Sequence, residues 1–79
     1  MRAYVLLTSK PGTSEEVLKM IKDTKKIKVV ILADSVYGRF DAIIAVEAQD
    51  IGTLSKLIYE VIEKNQNITH TETLLTLFQ

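Results

Sequence analysis

Apolar residues fall in blocks along the chain, and their period changes from block to block. Residues 3 to 8, AYVLLT, form a short run rich in β-branched and aromatic side chains, which predicts a strand; Lys10-Pro11-Gly12 ends it. Val17, Leu18 and Ile21 then recur at helical spacing, which predicts a helix of about three turns. Ahead of it Thr13-Ser14-Glu15-Glu16 reads as a capping box, the Thr13 hydroxyl accepting an orphan amide while Glu16 reaches back. Lys22, Lys25 and Lys26 crowd its end, where cations suit the helix dipole. Residues 27 to 37, IKVVILADSVY, read as a long strand that Gly38 breaks, and residues 41 to 48, DAIIAVEA, as another. Asp50 is a candidate N-cap for a second helix with the apolar stripe Ile51, Leu54, Leu57, Ile58, Val61 and Ile62. Asn65-Gln66-Asn67 closes that helix, and residues 68 to 78, ITHTETLLTLF, form the last strand.

The predicted order is β-α-β-β-α-β, two split βαβ units in the ferredoxin-like arrangement. This is an α+β fold: a four-stranded antiparallel sheet with two helices on one face. Such a sheet leaves its other face wet, and its strands should then alternate apolar with polar. These strands do not. Ala42, Ile44, Val46 and Ala48 oppose Asp41, Ile43, Ala45 and Glu47, and Ala3, Val5 and Leu7 oppose Tyr4, Leu6 and Thr8. Both faces are apolar at the centre, so the second is expected to pack on another copy of itself, sheet against sheet, in a two-fold dimeric α+β barrel.

Composition points the same way. The 79 residues make a single domain, expected to span residues 1–79. A domain of this size buries only about 60% of its unfolded-chain surface. It has no cysteine to staple it, yet 47% of its residues are hydrophobic; oligomerisation gives the excess apolar surface somewhere to go. Ten basic residues balance ten acidic ones, so no broad basic field suits nucleic acid. The start, MRAYVLLTSKPG, is too short and too soon interrupted for a signal peptide or a membrane span. The expectation is a cytoplasmic protein that meets no membrane.

The break at Gly38-Arg39-Phe40-Asp41 carries the candidate chemistry. It has two readings. In one, Gly38 supplies a positive φ at a hairpin corner, Phe40 packs on the sheet edge and Asp41 bonds to turn amides. In the other, the glycine leaves backbone amides open to a carboxylate while Asp41 meets an ammonium group, an arrangement suited to a free amino acid.

Over its whole length the chain resembles the C-terminal effector domain, or RAM domain, of the Lrp/AsnC (feast/famine) transcriptional regulators. The resemblance rests on the element order, on the Gly-x-aromatic-Asp motif at Gly38 to Asp41, and on the Thr-x-Thr pattern Thr71-Glu72-Thr73. It implies a domain that dimerises through its sheet, with dimers assembling into rings, commonly tetramers of dimers (octamers), and with amino acids bound between dimers. Carried over, Tyr37 and Phe40 would shape the pocket and Gly38 would permit its backbone geometry. Arg39 would pair with the effector carboxylate or with a neighbouring dimer, and Asp41 would receive the ammonium. Thr71 and Thr73 would hydrogen-bond the same ligand, from the same or a neighbouring dimer. The family's N-terminal helix-turn-helix has no counterpart ahead of residue 3, and nothing in these residues supplies a recognition helix. The expectation is a stand-alone RAM domain without direct DNA binding, sensing an amino acid alone or assembling with a full-length regulator, and so modulating transcription indirectly.

Other residues carry less. His70, the one histidine, has no Ser/Asp partner motif and reads as a strand-surface residue, and Glu72 as a solvated strand carboxylate. The cluster Lys22, Lys25, Lys26 and Lys28 reads as solubility at a helix end. Asp34, inside an apolar strand, is an edge gatekeeper or an interface partner. There is no phosphate-binding glycine loop and no metal-ligand spacing, and no cofactor or catalytic residue is expected. Two alternatives stay open. One is a small dimeric α+β-barrel enzyme of monooxygenase or isomerase type, since fold alone does not exclude it. The other is a purely structural oligomerising module. An ACT-type amino-acid domain shares the element order, but Lys10-Pro11-Gly12 matches its glycine-rich turn poorly.

Overall fold

The computed structural model describes residues 1–23 and 30–78. The chain runs β1 (Arg2–Ser9), α1 (Ser14–Asp23), β2 (Val30–Ser35), β3 (Ala42–Glu47), α2 (Ile51–Ile58, continued by a π-helical turn Tyr59–Glu63) and β4 (Ile68–Leu75). The strands form one antiparallel sheet in the order β2-β3-β1-β4. This is the expected ferredoxin-like α+β order. The predicted strand start at residues 27–29 and the lysines Lys25, Lys26 and Lys28 lie outside the described residues.

One side of the sheet is closed by the helices. Ala3, Val5, Leu7, Ala42, Ile44 and Val46 point to that side, where Val17, Leu18 and Ile21 of α1 and Leu54 and Ile58 of α2 complete the core. Val5, Leu7, Ile44 and Val17 are 0% exposed. Leu54, Ile58 and Ile62 recur every four residues, a spacing that overruns the 3.6-residue α-turn. The wider turn, closed by the Lys64 amide donating to the Tyr59 carbonyl at 2.9 Å, absorbs the excess and keeps Ile62 in the core. Ile51, predicted on the same stripe, stands at its rim and is 49% exposed.

The other side of the sheet is half-finished. Tyr4, Leu6 and Ile43 are half-buried there, and Leu32 and Leu74 are exposed. An Arg2–Glu47 ion pair at 3.3 Å borders this surface. Beside the Tyr4 side chain first and Glu47 second, proton loss from the Arg2 guanidinium is pushed up. Both outer strands carry a bulge: Ile31 is the extra residue between Val30 and Leu32, and Thr69 the extra residue opposite the Thr8–Ser9 step.

The two helix starts differ from each other. Asp50 caps α2 as predicted: Oδ1 accepts the Thr53 amide at 2.8 Å and Oδ2 the Thr53 hydroxyl at 3.2 Å. These bonds, the amide first, lower the Asp50 pKa. The expected capping box at α1 does not form. The Thr13 hydroxyl donates to the Lys10 carbonyl at 2.6 Å instead of accepting a helix amide. That carbonyl, three residues back in a turn opened by Gly12 at φ +82, is the nearer partner. Strand ends also fall short of expectation: β2 stops at Ser35, before Val36 and Tyr37, and β4 stops at Leu75.

Candidate functional site

The β2–β3 connection shows why the apolar pattern breaks at Gly38. The Val36 amide donates to the Asp41 carbonyl at 3.0 Å and closes a loop over residues 37 to 40. Gly38 has φ +154, in the region that a side chain disfavours. Tyr37, Gly38 and Arg39 are all exposed, Tyr37 fully, and Phe40 is half-buried.

Asp41 anchors this loop to a strand far away in sequence. Its amide donates to the Leu7 carbonyl at 2.8 Å. Its Oδ2 accepts the Ser9 amide at 2.9 Å. The carboxylate thus satisfies an amide of β1, where the sequence suggested amides of its own turn. One half-buried residue ties together the ends of β1, β2 and β3, and an exposed four-residue loop stands on that base. Ser9 was missed by sequence reasoning, and its own hydroxyl is buried without a hydrogen-bond partner among the described residues.

The two threonines lie elsewhere. Thr71 pairs with Leu7 and Thr73 with Val5, across β1 from β3. Paired residues share a face, and Leu7 and Val5 face the helices, so Thr71 and Thr73 do too. Leu7 separates Thr71 from Ala42, a distance of two strand spacings, roughly 10 Å. Within one copy the structure therefore brings Tyr37, Gly38, Arg39, Phe40 and Asp41 together and leaves Thr71 and Thr73 apart, beside α2. Thr73 lines a cleft of about 220 Å³ there, and Thr71 an adjoining one of about 280 Å³. A further cleft of about 560 Å³ lies between α1 and Ser35, among solvated α1 side chains such as Glu15, Lys19 and Lys22. Asp34 is exposed on the outer strand β2, and its pairing with Ile43 places it on the open face of the sheet; His70 and Glu72 are exposed on β4. Among the described residues no helix is long and apolar enough to cross a membrane.

Sheet, helices and loop define a ferredoxin-like α+β domain whose Gly-x-aromatic-Asp corner projects from a pinned base. The Lrp/AsnC ligand binding domain matches residues 2–79, and the chain belongs to that family. Among solved structures it is similar to FFRP-DM1, with 29% identity over 96% of this chain and 97% of that one, TM-score 0.87. It is similar to hypothetical protein PHS023 from Pyrococcus horikoshii, with 28% identity over 99% and 90% of the two chains, TM-score 0.86. The fold alone is shared with transcriptional regulator NMB0573 from Neisseria meningitidis, solved as a complex with L-Met: 10% identity, TM-score 0.77, covering 99% of this chain and 51% of that one. No curated protein matches significantly.

Proposed function

We propose that this chain is an effector-binding and oligomerisation module of Lrp/AsnC type, which takes a free amino acid at the Gly38 loop and modulates transcription indirectly through ligand-dependent assembly. On this reading residues 1–79 form one RAM-type domain that works in the cytoplasm, binds and assembles without catalysing a reaction, and uses no cofactor. It acts alone or with a full-length regulator and does not itself contact DNA.

The observation that carries the reading is the pinned loop. Asp41 is held by backbone partners on two sides while Tyr37, Gly38 and Arg39 stand free above it. Nothing within one copy's packing requires a fully exposed tyrosine and arginine at that corner. They suit a ligand held between copies: Asp41 for its ammonium, Arg39 for its carboxylate, Tyr37 and Phe40 for its side chain. Family membership supports a ligand-binding role, and the L-Met complex of the Neisseria regulator supports the amino-acid class. Thr71 and Thr73 are too far from the loop to share its ligand within one copy, so they would come from a neighbouring dimer in the assembled ring. The half-buried face with Tyr4, Leu6 and Ile43 is the surface on which the dimer would form.

The test is a thermal-shift panel of the common amino acids at millimolar concentration. A ligand present at about 100 times its dissociation constant stabilises by roughly 2.7 kcal/mol. In a domain this small that is a shift of several degrees. Asp41→Asn keeps an oxygen to accept the Ser9 amide and removes the charge. The reading expects a selective shift with one or two amino acids that Asp41→Asn abolishes. A flat panel would leave a structural oligomerising module.

A further inference from the structure

We infer that Asp34 and Glu72 set how strongly this chain pairs with itself: in a sheet-to-sheet contact, Asp34 of one copy meets the partner's Glu72 at both rims, like charge against like. The inference rests on the face-to-face dimer of the preceding reading. It adds which residues meet there and which of them oppose the contact.

Strand pairing lays the open face out in level rows. Arg2, Tyr4 and Leu6 point to it, since Ala3, Val5 and Leu7 between them are enclosed on the helix side. Paired residues share a face. The first row therefore holds Glu47 and Arg2. The second runs Leu32, Ala45, Tyr4, Leu74, and the third Asp34, Ile43, Leu6, Glu72. Hydrocarbon fills the second row and the middle of the third. The third row ends in a carboxylate on each outer strand, and both residues are exposed.

Two aligned sheets related by a two-fold axis have two ways to meet over this band. With the axis along the strands, rows keep their level and the strand order reverses. Tyr4 then covers the partner's Ala45, a small residue at 3% exposure between larger neighbours. Leu6 covers the partner's Ile43, Leu74 the partner's Leu32, and Arg2 meets the partner's Glu47. Among the described residues of these rows, only Asp34 and Glu72 then face like charge. With the axis across the strands, each strand lies over itself and the second and third rows exchange. Leu32 and Leu74 then press on the partner's Asp34 and Glu72, which takes four carboxylates out of water with no compensating bond. Charge and shape both select the first way.

That arrangement has an apolar band, an ionic level at one end and a repulsive pair at each rim. Like charges set across an interface work against association. Here they act on the self-contact, so the dimer is held weaker than its apolar band allows. Within one copy Asp34 and Glu72 are three strand spacings apart, roughly 14 Å. That exceeds the screening length of about 8 Å at physiological salt, so coupling between the two has to come through a second copy.

The experiment measures the dimer dissociation constant of the whole chain by sedimentation at physiological salt, for Asp34→Lys, Glu72→Lys and the two together. Each single change makes both rims attractive and should tighten the dimer at least tenfold. It does so although the net charge moves from zero to +2, one acid lost and one base gained, which by itself opposes pairing. The double variant faces Lys with Lys and should return to the unsubstituted constant or a weaker one. Mixed in equal amounts with the unsubstituted chain, it should give well over the statistical half of heterodimer in native mass spectra. Both positions are exposed, and circular dichroism reports whether each variant is folded. Single variants that fail to tighten, additive tightening in the double variant, or a statistical mixture would each overturn the inference and leave the dimer standing. An unsubstituted chain that stays monomeric at every concentration reached would overturn it together with the dimer reading. The amino-acid reading of the loop is decided separately by the thermal panel.

Discussion

Ile43 and Ile44 are neighbours in β3, carry the same side chain, and live in different surroundings. Ile44 points to the helices and is 0% exposed; Ile43 points to the opposite side and is half-buried among Leu6, Ala45 and Leu32. The contrast extends across the sheet: two helices close one face, and none of the described residues closes the other. The closed face is where the chain folds, and the open face is where it has surface left to place against another copy.

The sharpest test of that contrast is Ile44→Ala. Removing a fully enclosed isoleucine costs about 2–5 kcal/mol, which denaturant unfolding would read as a large drop in midpoint. Next comes Asp41, at the start of the same strand. Asp41→Ala leaves the Ser9 amide without its acceptor and should cost about 1–3 kcal/mol, whereas Asp41→Asn should cost clearly less because it still accepts that bond. Equal losses from both would mean that charge, and not the hydrogen bond, joins the loop to β1. Ile43→Glu is the complement of Ile44→Ala. On a free surface it changes stability by no more than about 0.5 kcal/mol. In a two-fold sheet contact it splits the dimer, read by light scattering, and its thermal midpoint loses dependence on protein concentration. A stable monomer in the unsubstituted protein would refute the contrast altogether. The smallest effect is at Asp50. Its pKa is lowered on folding, so the cap supports the fold above the ordinary carboxylate value of 3.8 and is lost as pH falls below that and through the lowered one. Asp50→Ala should remove this part of the acid sensitivity and fray the start of α2, seen as faster amide exchange at Thr53.

How far these features could be read in advance follows from their range along the chain. The stripe of α2, the apolar runs of β1 and β3 and the cap at Asp50 are local, and the residues themselves state them. Thr13 carries the same kind of signal as Asp50 but has a closer acceptor in Lys10, a competition within one turn that composition does not rank. Asp41 was legible as a carboxylate beside a glycine. Its partner Ser9 was not, because 32 residues separate them and only strand pairing brings them together. Thr71 and Thr73 were legible as a pair. Their side of the sheet depends on register with Leu7 and Val5, which is set across strands.

The bulges at Ile31 and Thr69 have a consequence for behaviour at high concentration. An open β-sheet with flat borders can recruit further strands without limit, and that is the start of a fibre. Here each border is kinked by one surplus residue, so sideways recruitment is discouraged at both ends. In the proposed two-fold contact through the broad face, each partner would cover the other and growth through that face would end at two. Crowding the protein should therefore populate closed, countable particles and leave it in solution, a property suited to a part whose proposed work is to assemble and come apart.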